Sequence, residues 1–423
     1  MNKILIENAK IINPGGAFEQ FGDICIDNGI ISYIGDKVSN DADIVIDAAG
    51  MVAAPGLVDM HVHMRDPGFT YKDDIITVGE CAAAGGITSL AAMPNTNPAA
   101  DCEEIIKYIK DKSEKSKVRV YPVGAITKAL AGKELTDFVS LKNAGAVALS
   151  DDGEPVSTSK LMLETMKKTA GMNMNILAHC EDKDLICGGI VNEGIVSETL
   201  GVKGNPTLSE SIGVIREITL AKSANARIHI CHVSTASSIE FIKYAKSKGV
   251  KVTAETCPHY FVFNEEYLMN KDADYRMNPP LRTEQDRLEI IQAIIDGTID
   301  SVATDHAPHT REEKSGFYDA PNGVIGLETS LAAGITYLVN KGYISLYKLI
   351  DMMSTVPANI LGIEAGNIKV GAPADIVVFD AAEHWTVDPY KLHGKSINTP
   401  FKGMDLCGRV KYTICRGEIV YKD

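Results

Sequence analysis

The chain has 423 residues, which is enough for one large domain and a smaller one that each bury a core. Its formal net charge of −14 at pH 7 argues against nucleic-acid binding, because proteins that bind the phosphate backbone present a basic face. No stretch is apolar over the length of a membrane span, and the start, MNKILIENAKIIN, reads as a β-strand rather than a signal peptide.

The cysteines indicate a reducing compartment. There are nine of them, an odd number, and no two form a C-x-x-C pair. A disulfide framework needs paired cysteines and an oxidising environment. We therefore expect free thiols and a cytoplasmic protein.

Both ends of the chain are predicted to form antiparallel β-structure. Residues 1–54 contain short alternating strands that are broken by turn sequences such as Asn-Pro-Gly-Gly at 13–16. Similar strands return near the other end, at 374–380 and 408–423. The expected arrangement is a small β-sandwich built from residues 1–54 and 366–423.

Between these ends, residues 55–365 alternate between strand and helix. The candidate strands are 57–63, 86–92, 118–124, 146–150, 175–179, 227–232, 250–255 and 300–305. Eight strands, each followed by a helical stretch, predict an α/β fold, a (β/α)8 barrel of the TIM type. A doubly wound sheet is the alternative, but no G-x-G-x-x-G sequence lies at a strand–helix turn.

Side chains that bind metals occur where the predicted strands end. His61 and His63 are two residues apart on the first barrel strand, so both leave the same face. His179, His232 and Asp305 end three further strands. Active sites of such barrels lie at the carboxyl ends of the strands, so these side chains should converge on one mouth. The set suits two Zn²⁺-like ions.

Two adjacent aspartates follow the predicted strand 146–150, in the sequence GAVALSDDG. Because side chains alternate along a strand, the small residues Ala148 and Ser150 share a face with Asp152. Small residues suit a crowded barrel interior, so Asp152 is expected in the mouth. Asp151 would point outward, as a helix cap or a turn carboxylate.

The same alternation divides the remaining histidines of the barrel. It turns His232 into the mouth and His229 towards the helices, where His229 would be a packed or surface residue. His306 has the opposite orientation to the neighbouring Asp305. His259 follows a strand and has no assigned role.

Several segments along nearly the whole chain resemble one enzyme family. They are GLVDMHVHMRDPG (56–68), AAGGITSLAAMPNTNP (83–98), AHCED (178–182), ETCPHY (255–260), MNPPLR (277–282), ATDHAPHTREEK (303–314) and GNIKVGAPADIVVFD (366–380). With these segments the chain resembles the class I dihydroorotases, in the cyclic amidohydrolase branch of the amidohydrolase superfamily.

The resemblance implies a binuclear zinc site. The ligands that it implies are His61, His63 and Asp305 on one ion, and His179 and His232 on the other. Many relatives bridge their ions with a carboxylated lysine at the end of the fourth strand, where this chain has Leu-Ser-Asp-Asp. In the class I enzymes that use an aspartate instead, the second of the pair is the ligand, which implies Asp152. The sequence leaves open whether Asp152 binds one ion or both.

The activity implied by the resemblance is the reversible cyclisation of N-carbamoyl-L-aspartate to L-dihydroorotate with release of water, a step of pyrimidine synthesis. A metal-bound hydroxide would be the nucleophile, and Asp305 would act as general acid and base. The fork of Arg65 suits the substrate carboxylate, although an arginine at the surface could instead pair with Asp66. Family positions that complete the substrate site are Asn95, Asn278, His309 and Gly323. The polar segment 309–323 is expected to be a mobile lid.

Two other functions share this fold. Hydantoinases, dihydropyrimidinases and allantoinases have the same metal cluster, but their substrates lack the ring carboxylate and give no reason for Arg65, Asn95 and His309 together. An inactive dihydroorotase-like scaffold subunit would have lost metal ligands, and none of those assigned here is missing. The expected partners are the small-molecule substrate and a second copy of the chain in a homodimer, and the resemblance also implies an aspartate transcarbamoylase as a candidate partner; neither nucleic acid nor a membrane is expected.

Overall fold

The computed structural model describes residues 3–36 and 41–423. Its strands are β1 (Ile4–Asn13), β2 (Phe18–Asp27), β3 (Ile30–Gly35), β4 (Ile44–Asp47), β5 (Val52–Pro55), β6 (Leu57–Val62), β7 (Ile87–Ala92), β8 (Arg119–Ala125), β9 (Ala148–Ser150), β10 (Asn175–Ala178), β11 (Val191–Asn192), β12 (Gly204–Asn205), β13 (Ile228–Ile230), β14 (Val252–Thr256), β15 (Ser301–Val302), β16 (Ile376–Thr386), β17 (Asp405–Cys415) and β18 (Glu418–Lys422).

The helices mostly fill the connections between the central strands. They are α1 (Ile75–Ala84), α2 (Glu103–Ser113), α3 (Phe138–Ala144), α4 (Ser159–Met172), α5 (Lys183–Ile186), α6 (Ile195–Leu200), α7 (Thr207–Ala224), α8 (Ala236–Ser247), α9 (Pro258–Val262), α10 (Glu284–Asp296), α11 (Ser330–Gly334), α12 (Leu346–Ile350) and α13 (Val356–Leu361). In the described residues, no helix combines the length and the apolar content needed to cross a bilayer.

Eight parallel strands form a nearly closed barrel. Their order is β6, β7, β8, β9, β10, β13, β14 and β15, which is also their order along the chain. The gap between the last strand and the first is narrowed by a bridge between Val62 and His306, in which the amide of His63 donates to the carbonyl of His306 over 2.9 Å. The predicted (β/α)8 barrel is therefore confirmed.

Apolar side chains fill the end of the barrel where the strands begin. A buried cluster there contains Val58, Val123 and Leu177 from three strands, together with Ala358 and Leu361 of α13. Helix α13 is also tied to the strand starts, since the carbonyl of Ile360 accepts hydrogen bonds from Asn175 and Arg227. Because this end is plugged, a ligand can enter only where the strands finish.

The two chain ends together build one β-structure, as expected, and its eight strands form a single mixed sheet in which β1 pairs with β4 and β5 in parallel. The order is β18-β17-β16-β5-β1-β2-β3, with β4 pairing to β1. Its inner face has a core of its own, which includes Ile6, Ile24 and Ile376. Arg119 and Asp375 form an ion pair of 3.0 Å between the barrel and this sheet. The exact domain limits, 1–54 with 366–423 and 55–365, stay a prediction.

Candidate active site

Four imidazoles and two carboxylates meet at the open end of the barrel. His61 and His63 come from β6 and the residue after it, and the others follow β9, β10, β13 and β15 as Asp152, His179, His232 and Asp305. All six are buried, with at most 7% of any residue exposed. The structure thus brings together every metal ligand that the sequence predicted.

Asp152 lies at the centre of this group. Its Oδ1 atom is 3.3 Å from His61 Nε2, 3.6 Å from His179 Nδ1 and 3.8 Å from His232 Nε2. Its Oδ2 atom is 3.5 Å from His63 Nε2. Burial alone would raise the pKa of the Asp152 carboxyl, but the imidazoles around it hold that pKa well below its usual range. The two oxygens of one carboxylate therefore face both halves of the predicted ligand set.

The residue before Asp152 has a different role. The Asp151 carboxylate accepts hydrogen bonds from the amides of Ile126 and Thr127, over 2.8 and 3.0 Å, and from the Thr127 hydroxyl. These groups belong to the loop that follows β8. Asp151 is therefore a buried turn carboxylate directed away from the mouth, in agreement with the alternation along β9.

The donor atoms fit a pair of cations. Asp305 Oδ1 lies 3.0 Å from His63 Nε2 and 3.5 Å from His61 Nε2, so these three residues can share one ion. His61 Nε2 and Asp152 Oδ1 are buried without a hydrogen-bond partner. Buried polar atoms are normally paired, and two such acceptors facing one another are accommodated by a cation between them. Imidazole nitrogens and carboxylate oxygens are ligands that Zn²⁺ accepts.

Three further side chains hold the imidazoles from behind. Asn95 Oδ1 is 2.8 Å from His63 Nδ1, Glu181 Oε2 is 3.2 Å from His179 Nε2, and Glu255 Oε1 is 3.1 Å from His61 Nδ1. An acceptor on one ring nitrogen fixes the proton there and leaves the lone pair of the other nitrogen free for a metal. Burial would raise the pKa of Glu255, yet hydrogen bonds from His229 and His61 lower it to about 2.

Glu181 and Glu255 were not predicted as residues of the site. Glu181 is two residues beyond His179 in the segment Ala-His-Cys-Glu-Asp, and Glu255 ends a predicted strand, which was the available signal. Asn95 was expected at the substrate; its Nδ2 atom is also 3.4 Å from Asp152 Oδ2, so it contacts a predicted metal ligand as well.

The predicted orientation of His229 is wrong. The alternation placed it towards the helices, but it is fully buried and its Nε2 atom lies 3.2 Å from Glu255 Oε2, next to His61. The regular strand ends at Ile230, and His232 has a left-handed backbone with φ 36°. This turn brings His232 into the mouth without the alternation that was assumed, so His229 and His232 both contact the site.

Two other histidines are buried beside the site. His306 accepts a hydrogen bond at Nδ1 from the amide of Gly326 over 3.2 Å, and burial lowers its pKa to about 3. His259 packs against Tyr260 with 4.2 Å between ring centroids, and burial lowers its pKa to about 4. Both are therefore neutral packing residues at neutral pH.

Left-handed backbone recurs at the mouth. Arg65, His232 and Asp305 have φ values of 59°, 36° and 49°, each shortly after a strand. This conformation costs a residue other than glycine about 1–3 kcal/mol. All three side chains line the same cavity, so the strained backbone directs them towards one site.

The cavity above the histidines has a volume of about 180 Å³. Its wall includes all five residues that were predicted to bind substrate: Arg65, Asn95, Asn278, His309 and Gly323. Asn278 Nδ2 is 3.5 Å from His179 Nε2. Gly323 has φ 138°, and a Cβ atom there would lie 2.8 Å from Ala307 Cβ, so a side chain does not fit.

Arg65 is free to bind an anion in this cavity. Its Nε atom donates to the carbonyl of Pro308 over 3.0 Å, and its Nη2 atom lies 3.2 Å from His309 Nε2. The alternative partner, Asp66, is taken by Tyr108 and Lys112. No ion pair between described residues involves Arg65. The remaining guanidinium hydrogens can therefore meet a carboxylate from the cavity side.

Known proteins confirm what these residues indicate. The family model described as "Dihydro-orotase-like" matches residues 50–238, and one described as "Amidohydrolase family" matches residues 318–421. The dihydroorotase of Ruminiclostridium cellulolyticum is 44% identical over 422 residues, which is 99% of both chains. That of Geobacter metallireducens is 45% identical over 423 residues, again 99% of both chains. The chain belongs to the dihydroorotase family.

The fold of this dihydroorotase family member is shared more widely. The L-hydantoinase (dihydropyrimidinase) from Arthrobacter aurescens superposes with a TM-score of 0.90 at 25% identity, over 100% of this chain and 96% of that one. The dihydropyrimidinase from Brevibacillus agri gives 0.87 at 26% identity, over 99% and 95%. Enzymes with different names thus have the same barrel, and substrate choice has to be argued from the cavity wall.

The segment 309–323 of this dihydroorotase family member, predicted to be a lid, is tied to the barrel through Arg276. The buried Nζ atom of Lys314 donates to the carbonyls of Arg276, Pro321 and Gly323, over 3.2, 3.0 and 3.0 Å. Arg276 donates in turn to the carbonyls of Phe317 and Tyr318. Lys314 therefore holds Gly323 in the cavity wall.

We expect Lys314→Met to loosen this segment. Burial lowers the pKa of the Lys314 amine to about 7, so near neutral pH the three carbonyls would lose a buried donor that is only partly charged. Leaving a buried acceptor without its partner costs about 1–3 kcal/mol. Thermal unfolding should occur at a lower temperature, and limited proteolysis should cut within 309–323 faster than in the parent protein. Arg311→Met removes an exposed cation from the same segment and serves as the control. Equal cleavage rates in the two variants would contradict this role of Lys314.

Proposed function

We propose that the protein is a zinc-dependent dihydroorotase that interconverts N-carbamoyl-L-aspartate and L-dihydroorotate in pyrimidine biosynthesis. The observation that carries this proposal is the position of Arg65. It has no carboxylate partner among the ion pairs of the described residues and lines the same cavity as Asp305 and three metal-binding histidines. Relatives about 45% identical over the full chain bear the same name.

Two zinc ions are the proposed cofactors. His61, His63 and Asp305 would hold one ion, His179 and His232 the other, and the distances from both Asp152 oxygens support a bridge between them. When bound, such an ion pair lowers the pKa of a coordinated water to near neutrality and polarises the carbonyl that is attacked.

Asp305 is the proposed general acid and base. Its carboxylate lines the cavity, and burial would raise its pKa while the neighbouring His61 and His63 imidazoles lower it. As an anion it can accept a proton from the attacking water and then deliver it to the ring nitrogen that leaves. In the direction of synthesis, the same carboxylate takes the proton from that nitrogen.

The cavity wall orients the substrate ring between the Asp305 carboxylate and a carboxylate-binding clamp formed by Arg65, Asn95 and His309. Arg65 would bind the substrate carboxylate in bidentate fashion, with Asn95 and His309 beside it. Asn278 and the backbone at Gly323 would contact the ring on the other side. Contacts at both ends of the substrate would hold its ring carbonyl beside the proposed metal ligands, so that binding also orients the group that reacts.

An assay on four substrates tests the proposal against its main alternative. Hydantoinase-like structures have the same fold, so purified protein should be compared on dihydroorotate, dihydrouracil, hydantoin and allantoin. We expect turnover of dihydroorotate, loss of activity after chelation, and recovery on adding zinc. Activity on the other three alone would refute the proposal in favour of a hydantoinase or allantoinase. Absence of any turnover with zinc present would favour the inactive scaffold.

His309 should keep substrate binding independent of pH in the neutral range. Burial, followed by the charges of Arg65 and Lys72, lowers its pKa to about 3. The imidazole therefore becomes charged only as the pH falls towards that value, so KM should be flat between about pH 5.5 and 8. The measurement is KM for dihydroorotate across this range at saturating zinc. A break near the ordinary histidine pKa that disappears in His309→Asn would contradict it.

We also propose that the enzyme works in the cytoplasm as a homodimer. The nine cysteines, which include six buried ones, are free thiols, as expected in a reducing compartment. The dimer and an association with an aspartate transcarbamoylase stay predictions from the family resemblance.

A further inference from the structure

A buried carboxylate inside the barrel joins two histidines from different strands. Glu255, on β14, is 0% exposed. Its Oε1 atom lies 3.1 Å from Nδ1 of His61, on β6, and its Oε2 atom lies 3.2 Å from Nε2 of His229, on β13. This second contact is at ion-pair distance but outside hydrogen-bond geometry, and neither His229 Nε2 nor Glu255 Oε2 has a hydrogen-bond partner among the described residues. Each of the two groups is therefore an available partner for the other.

The protons in this chain of contacts can be assigned from its far end. His229 Nδ1 lies 2.9 Å from the hydroxyl of Thr253. If the hydroxyl donates to Nδ1, the His229 proton sits on Nε2 and points at Glu255; the other tautomer would set a lone pair against a carboxylate oxygen. The Glu255 carboxylate has no proton to donate and can only accept hydrogen bonds, so the His61 Nδ1 atom that faces it must carry a proton. The lone pair of His61 is then on Nε2, which faces Asp152 and Asp305.

Charge favours the same arrangement. Asp152 and Asp305 face the cluster, while Glu181 and Glu255 contact one histidine of each proposed ion. These four carboxylates balance the charge of two divalent cations, and uncompensated charge is costly in a buried site. Glu255 supplies the negative charge beneath His61, in a part of the barrel that is buried from solvent.

We propose that Glu255 is a positioning residue for the metal centre and that His229 holds Glu255 in place. Glu255 selects the His61 tautomer that binds metal through Nε2, and His229, itself fixed by Thr253, keeps the carboxylate from turning away. The inference rests on the proposed metal site. It assigns a role to a histidine that strand alternation directed to the helices.

Three substitutions separate these roles. Glu255→Gln removes the charge and leaves one acceptor for two ring N–H groups, so one histidine loses its partner. His229→Leu removes the donor to Glu255, whereas His229→Gln keeps an N–H group that can reach Glu255. Loss of a residue that orients a metal ligand typically weakens metal binding by about 10–100-fold. The matched control is Glu217→Gln, which neutralises a carboxylate that is 2% exposed and pairs with Arg216 on α7.

The test is the zinc dissociation constant of each full-length variant, measured by competition with a chromophoric chelator, with the unfolding temperature of the metal-free protein as the fold control. We expect about 10–100-fold weaker zinc binding in Glu255→Gln and His229→Leu, and near-parental binding in His229→Gln and Glu217→Gln. Parental zinc affinity in Glu255→Gln would overturn the proposal. If Glu255→Gln does not fold, parental affinity in His229→Leu overturns it instead.

A purely structural role would give another pattern. The unfolding temperature of the metal-free protein would fall while zinc affinity stayed at the parental value, and His229→Gln would resemble His229→Leu. Because no readout uses turnover, the result is independent of the substrate. Normal zinc binding with turnover of hydantoin alone would refute the proposed function and leave this inference standing.

Discussion

Asp152→Ala is expected to abolish activity and to remove bound zinc. The carboxylate has one oxygen within 3.8 Å of three imidazoles and the other 3.5 Å from the fourth, so no neighbour can replace it. Residues that only orient a ligand cost about 10–100-fold in metal affinity, and a bridging ligand should cost more than ~100-fold. Zinc per chain after dialysis, measured by elemental analysis, and dihydroorotate turnover are the readouts.

The adjacent Asp151 provides the matched control. Asp151→Ala should keep zinc and most of the activity, since its carboxylate contacts only the loop after β8. It should be less stable, because buried donors left without a partner cost about 1–3 kcal/mol each. Metal loss in Asp151→Ala with retention in Asp152→Ala would reverse the assignment of the two aspartates.

Arg65→Met is expected to raise KM for dihydroorotate on the order of 100-fold and to leave the zinc content unchanged. Removing one partner of a hydrogen-bonded charge pair costs about 2–5 kcal/mol, which corresponds to a change in affinity from about 30-fold to several thousand-fold. The variant keeps a long side chain at a position whose backbone is left-handed in the parent (φ 59°). Steady-state kinetics and elemental analysis of the same preparation measure both effects.

Two comparisons make this test specific to the carboxylate. Dihydrouracil is dihydroorotate without its carboxylate, so any residual activity on it should be nearly the same in the parent and in Arg65→Met. Arg65→Lys keeps the charge but lacks the planar fork and should fall between the two on dihydroorotate. Loss of zinc in Arg65→Met, or an equal loss of activity on both substrates, would contradict the proposal that Arg65 binds the substrate carboxylate.

The fold followed closely from the sequence because its pattern is local. Strand β6 was expected at 57–63 and is Leu57–Val62, and strand β7 was expected at 86–92 and is Ile87–Ala92. Apolar periodicity and turn residues are sufficient for such assignments. The helical stretch after the last barrel strand is less regular than the others: α11 ends at Gly334 and continues as a π-helical turn over Ile335–Val339.

The site was predictable only in part. The directions of His61, His63 and Asp152 follow from alternation along a strand, since these residues lie within β6 or no more than two residues beyond β6 and β9. His232 and Asp305 sit in left-handed turns, which alternation does not describe, and so His229 was misplaced. Glu181 contacts His179, two residues away, so the segment Ala-His-Cys-Glu-Asp held a signal for it. Glu255 contacts His61 and His229 on other strands, and one sequence does not show which distant residues pair.

The length of the Asp152 side chain has a consequence for how the metal centre is assembled. A lysine can act as a bridge only after its amine has captured carbon dioxide as a carbamate, a modification that is reversible and depends on dissolved gas. Asp152 carries its carboxylate from translation onwards, at the end of β9, two bonds from the backbone. As the proposed bridge, it would let the centre form from polypeptide and zinc alone, independent of bicarbonate.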